Sequence, residues 1–244
     1  MLFFDWTLPL LIPAFLLAIY AQWKVKSAFN TWSRVRAMSG MSGAQVARAL
    51  LSGSTSQVQR SGGRAHKAAN QLAAVEVRAV EGRLSDHYDP RNKTLNLSQP
   101  VYASNSLAAL GIAAHETGHA FQHALGYGPL VLRSTLVPAA QFGSSLAWPL
   151  FFGGLIFAQS GLAILMDIGI LLYLGAVVFT LVTLPVEFNA SSRAIRMLRE
   201  GGFVQSEEVS GVRAVLNAAA LTYVAAAAMA IVTLLRMLLL RGRD

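Results

Sequence analysis

Five residues, His115-Glu116-Thr117-Gly118-His119, carry the most direct chemistry in the chain. Histidines four positions apart project from one face of a helix, so both imidazoles can reach one metal ion. Glu116 stands beside the first histidine, where a carboxylate can take a proton from a water on that metal. The flanks suit a helix over Leu107 to Gly126, with Leu107, Leu110, Ile112 and Phe121 among alanines, and Gly126 and Gly128-Pro129 to end it. The chain has no cysteine, which excludes disulfides, thiolate-held zinc and thiol catalysis. Any metal must be held by histidine and carboxylate, a donor set that suits a catalytic zinc better than a structural one.

Two histidines leave a third ligand to be found. His123 lies eight positions after His115, about 12 Å along a straight helix at 1.5 Å per residue, so His115, His119 and His123 cannot share one ion. It reads as an outer or packing histidine. Asp167 is a carboxylate inside an apolar stretch and so a functional suspect. It sits near the start of that stretch, roughly 30 Å of helix from Glu187, and reads as structural or interfacial. Glu187 follows Pro185 at the far end of the same stretch and is the expected third ligand. Two His and one Glu leave a fourth tetrahedral position open for water. A tetrahedral oxyanion would need a donor, for which His87, Tyr88 and Arg193 qualify by chemistry.

These residues need elements to hold them, and composition says what kind. Of 244 residues, 54% are hydrophobic and 13% charged, about half the charged share of a soluble domain. The net charge of +8 does not point to nucleic acid, because its distribution is segmental. All twenty Lys and Arg fall in 24–133, 193–213 and 236–243. Apolar segments separated by basic loops indicate about four membrane spans: Leu2 to Tyr20, Leu136 to Ala158, Leu162 to Val186, and Val215 to Leu235. Positive charge follows the first segment instead of preceding it, so this segment reads as a retained anchor and not a signal peptide. The basic loops are assigned to the cytoplasm. The expected organisation is an anchor at 1–23, a zinc-peptidase region at 24–135, two spans at 136–186, a helical segment bearing the third ligand at 187–214, and a last span with a basic tail at 215–244.

Within the polar region, Met41 to Leu51 reads as a short amphipathic helix capped by Ser42. Ser52 to Ala69 reads as a loop or insertion, with His66 solvated. Val75 to Val80 alternates as a strand. Asp89-Pro90-Arg91-Asn92 marks a turn before a second short strand at Leu95 and Leu97, which gives a small hairpin ahead of the metal helix. An extended peptide substrate could pair with such a strand edge.

The blocks Leu84-Ser85-Asp86-His87-Tyr88-Asp89-Pro90, His115 to His123 and Leu184-Pro185-Val186-Glu187-Phe188-Asn189-Ala190-Ser191 resemble, in that order, the bacterial membrane zinc metallopeptidases of the YugP type. The resemblance extends over nearly the whole chain. It implies a mainly α, multispan bacterial membrane protein with a gluzincin-like zinc-peptidase domain and a single Zn2+ per chain. The implied ligands are His115, His119 and Glu187, and the implied general base is Glu116. The membrane gluzincins, to which the family looks distantly related, usually carry an Asp four residues after the Glu ligand. Here that position is Ser191, so Asn189 or Ser191 would support a ligating histidine. The resulting expectation is an endopeptidase at the cytoplasmic face of the bacterial inner membrane, acting on peptides or membrane proteins. The alternatives are a non-catalytic membrane scaffold and a site-2-type intramembrane protease using Asp167.

Overall fold

A computed structural model describes residues 6–59, 64–82 and 84–242, with side chains for all of these except 54–59 and 64–66. The chain forms two compact units. The first holds Met1–Gln22, Val131–Pro185 and Leu221–Asp244, and the second holds Trp23–Leu130 and Val186–Ala220.

The first unit is built from long helices. A 3-10 turn at Leu8–Leu10 leads into α1 (Leu11–Trp32); α6 covers Gly128–Ile156, α7 Ile164–Glu200 and α8 Val209–Arg241. Leu8–Trp32, α7 and α8 are each long and apolar enough to cross a membrane. The stretch expected as a second span forms α6, which is not in that set. Gln141, Ser144 and Ser145 lie within its apolar run, and Pro138 and Pro149 lie inside the helix. Among the described residues three helices therefore qualify by length and composition, where about four spans were expected.

The spans also run further than the hydropathy suggested. α1 continues through Lys24 and Lys26 to Trp32, and α7 passes through Pro185 without ending. Within this unit the helices approach closely at glycines: a Cβ on Gly143 would lie 2.7 Å from Leu172 O, and one on Gly169 2.7 Å from Ala147 O. Phe151, Met166 and Met237 form a small core beneath Trp148 and Tyr173. Outward positions such as Phe142, Leu171, Leu235 and Leu238 remain exposed and apolar. A helix apolar on its outer face needs a non-aqueous surrounding.

The second unit is a small sheet packed with helices. Strands β1 (Glu76–Val80), β2 (His87–Asp89) and β3 (Thr94–Ser98) take the order β1-β3-β2, with β1 parallel and β2 antiparallel to β3. The strands expected to form a hairpin, β1 and β3, instead pair in parallel, and the hairpin is made by β2 with β3. Its turn arises locally. Asp89 accepts from Arg91 N–H at 2.8 Å and from the Asn92 side-chain amide at 2.8 Å, which folds the turn back. The central strand buries Leu95 and Leu97 completely.

Ser42 and Gln45 cap α2 reciprocally, main-chain N–H to side-chain oxygen in each direction. α2 runs Gly43–Gln59 and is followed by α3, Arg64–Ala73, so most of the stretch expected as a loop is helical. For α3 the reason is visible at Ala68, Ala69 and Leu72, which it buries into the core despite the Ser- and Gly-rich chain before it. The side chain of His66 lies outside the described residues.

α4 (Gln99–Tyr102) and α5 (Leu107–Ala124) complete the unit, together with the later part of α7 and the first part of α8. Ser106 caps α5 by accepting from Ala109 N–H at 3.2 Å. Gly126, at φ +64°, turns the chain away after α5.

Candidate metal centre

α5 puts His115, Gly118, His119 and Gln122 on one face at the i, i+3, i+4, i+7 spacing. α7 meets that face with Glu187, Ala190 and Ser191. The approach is close because both sides are small. A Cβ on Gly118 would sit 2.8 Å from Ala190 O and 3.2 Å from Ala190 Cα, and Ala190 is fully buried. Gly118, the fourth residue of the pentapeptide, thus lets a carboxylate from α7 reach the two imidazoles.

Glu187 is 2% exposed. Its Oε2 lies 3.3 Å from His115 Nε2 and 3.5 Å from His119 Nε2. The two rings meet edge to face at 4.8 Å between centroids. One ligand atom from each of the three residues falls within 4.8 Å of the others. Among the described residues this is the cluster able to hold a metal.

The far side of each imidazole is engaged as well. His115 Nδ1 lies 3.1 Å from Ser191 Oγ, and His119 Nδ1 lies 3.0 Å from Gln122 Oε1. With both Nδ1 atoms occupied, both Nε2 atoms face Glu187. Two imidazole nitrogens and one carboxylate oxygen, oriented from behind, are a donor set that fits zinc with a position left over. Burial disfavours protonation of His119, but its hydrogen bond to Glu187 and the charges of Glu116 and Glu187 outweigh this and raise its pKa above the ordinary value.

Glu116 is buried on the same helix, and its Oε2 accepts from Tyr88 N–H at 3.0 Å. That contact comes from the edge strand β2. Tyr88 also places its hydroxyl 2.9 Å from His123 Nδ1, with tilted rings 5.9 Å apart. Burial, with the charge of Asp89, pushes the Tyr88 phenol up to about 12, so it keeps its proton at neutral pH. Asp86 anchors β2 by accepting from both Ser98 N–H (2.8 Å) and Ser98 Oγ. Its own pKa is raised, chiefly by burial, and the Ser98 N–H bond opposes that rise.

Of the expected residues, His115, His119 and Glu187 converge, and Glu116 lies beside them on α5 with its carboxylate fixed by β2. Ser191 supports His115 directly. Asn189 is linked to His119 through Gln122, whose amide donates to Val186 O at 2.8 Å and to Asn189 Oδ1 at 3.0 Å. Arg193 Nε donates to the same Asn189 oxygen at 2.8 Å.

His87 is exposed and spends both ring nitrogens locally, 2.9 Å from Ser85 O and 3.1 Å from Asn96 Nδ2. It is therefore part of the hairpin and offers no donor to the site. Asp167 belongs to the first unit, where Arg241 holds it through two bonds of 2.8 and 3.1 Å. Sequence reasoning missed Gln122, the Tyr88 main-chain contact and the role of Gly118. A signal existed for Gln122, which stands three positions after His119 on the ligand face. None existed for a main-chain donor.

The sequence profile of the family described as "Putative neutral zinc metallopeptidase" matches residues 7–242. A curated relative, "Putative membrane protease YugP" of Bacillus subtilis (strain 168), is 46% identical over 237 residues, spanning 96% of this chain and 97% of its own. No solved structure matches. The pentapeptide, the converging His-His-Glu cluster and a match over almost the full length agree, and the chain belongs to this zinc metallopeptidase family.

Proposed function

We propose that the chain is a membrane-embedded zinc endopeptidase of the gluzincin kind, with His115, His119 and Glu187 as ligands of one zinc ion and Glu116 as general base. The observation that carries this reading is the approach of three ligand atoms from α5 and α7 to within 4.8 Å of one another. A zinc ion in such a site supplies Lewis acidity, polarising a substrate carbonyl and bringing the ionisation of water near neutral pH.

The chain's own groups do the rest. Tyr88 N–H aims the Glu116 carboxylate, which accepts the proton from the attacking water and can return it to the departing amine. β2 is an edge strand, and an extended peptide can add to it by main-chain hydrogen bonds. Ser191 and Gln122 hold the imidazoles in place from behind.

A bacterial inner membrane location with the site on the cytoplasmic side is supported by the basic residues at 24–133 and 193–213. α6, though outside the set of candidate spans, would serve as a fourth membrane-embedded helix, with Phe142, Leu146 and Ile156 turned outward.

The test is hydrolysis of an unfolded protein such as casein by the zinc-loaded chain in detergent, compared with Glu116→Gln. The variant should keep its zinc and lose about 100-fold or more in rate. Equal rates in the two proteins would remove Glu116 from its role. No cleavage by the parent of casein or of a misfolded membrane protein would count against the endopeptidase reading.

A further inference from the structure

Gln122 is fully buried, and its amide partners settle which way it faces. Val186 O can only accept a hydrogen bond, so the Gln122 nitrogen must be the atom 2.8 Å from it. Asn189 is oriented in the same way: Arg193 Nε can only donate, so the atom it meets at 2.8 Å is the Asn189 oxygen. Gln122 Nε2 donates to that oxygen at 3.0 Å, consistent with the first assignment. Gln122 Oε1 is left facing His119 Nδ1 at 3.0 Å, which requires the proton of neutral His119 on Nδ1 and the lone pair on Nε2.

His115 is held differently. Its Nδ1 faces a serine hydroxyl, which can donate or accept and so imposes no tautomer. The two positions that Gln122 grips on α7, Val186 and Asn189, lie on either side of Glu187. A single side chain therefore sets the proton of one candidate ligand and clasps the helical turn that presents another.

We propose that Gln122 is a positioning residue that couples His119 and Glu187 into one metal site. The proposal rests on the metal-site reading above and goes beyond it, because neither the pentapeptide nor the third ligand assigns Gln122 a part. Gln122 touches neither substrate nor metal; it acts through His119 and α7.

The experiment is zinc affinity by chelator competition on the full-length protein in detergent, with the melting temperature of the zinc-free form measured alongside. Gln122→Leu removes both functions. Gln122→Glu keeps an acceptor for His119 and loses the two donors to α7. Zinc affinity should fall roughly 10- to 100-fold in Gln122→Leu and by a smaller factor in Gln122→Glu. Because Gln122 acts partly through Glu187, the effect of Gln122→Leu should shrink in a Glu187→Ala background.

If the two variants bind zinc within twofold of a zinc-binding parent, the proposal is overturned. A lower zinc-free melting temperature with unchanged affinity overturns it as well, since it would show a packing role alone. Should Gln122→Leu fail to fold, the comparison of Gln122→Glu with the parent decides. A parent that binds no zinc sinks the metal-site reading itself, a result distinct from the other two.

Discussion

Asp167 and Glu187 are carboxylates on the same helix, α7, and their surroundings differ in kind. Asp167 stands in the first unit in the first helical turn, is half exposed, and has a permanent cation, Arg241, bonded through two nitrogens. Its charge is compensated at any ordinary pH. Glu187 belongs to the second unit, is almost fully buried, and faces two imidazoles. An imidazole supplies positive charge only when protonated, and burying a carboxylate without compensation is costly. Glu187 thus faces groups whose positive charge comes with a proton or a metal ion, where Asp167 faces a permanent one. An acidic residue in an apolar sequence is a suspect, and what it faces decides whether it is a site.

The sharpest way to break this contrast is to push apart the helices that create it. Gly118→Val places side-chain atoms against Ala190 main chain, where even a Cβ would be 2.8 Å from the carbonyl oxygen. It should cost about 1–3 kcal/mol of stability and abolish tight zinc binding, by calorimetry and metal analysis. Gly169→Val makes a comparable clash inside the first unit, 2.7 Å from Ala147 O. It should lower the melting temperature while leaving zinc affinity intact. Equal loss of zinc in the two variants would contradict the assignment of metal binding to the α5–α7 contact.

A smaller effect separates the two carboxylates by pH. In zinc-stripped protein the pKa of His119 is raised above its unfolded value, so its protonated form contributes stability at low pH. That contribution is complete below about pH 6.5 and is lost as the pH rises through the folded value. The melting temperature of the stripped protein should therefore decline above that point, and Glu187→Gln should flatten the decline. Asp167→Asn should not. The smallest expected change is that of Ser191→Ala, a few-fold loss of zinc affinity, because a hydroxyl constrains His115 less than the Gln122 amide constrains His119. Titration against a chelator of known affinity resolves that difference.

Much of this contrast is legible in the sequence. The spacing of His115 and His119, and the position of Glu187 just past Pro185, suffice to nominate ligands, because helical periodicity dictates which side chains share a face. The strands at Val75–Val80 and Leu95–Leu97 show through alternation and the Asp-Pro turn. Other features do not show. The hydrogen bond from Tyr88 to Glu116 is made by a main-chain N–H, which any residue but proline could supply. Gly118 looks like a helix-weakening residue until α7 is seen against it. The helix α3 forms just after Ser- and Gly-rich sequence because tertiary burial of Ala68, Ala69 and Leu72 outweighs local preference. α6 sets serine and glutamine among phenylalanine and leucine and holds two prolines inside the helix, and it is not among the helices apolar and long enough to cross a membrane.

In the proposed metal site, Glu187 and not Asp167 joins His115 and His119. The measurement that tests it most directly is zinc per chain in the detergent-purified parent, in Glu187→Ala and in Asp167→Ala. A stoichiometric ion is expected in the parent and in Asp167→Ala, with loss or marked weakening in Glu187→Ala. Zinc retained without Glu187 and lost without Asp167 would contradict it.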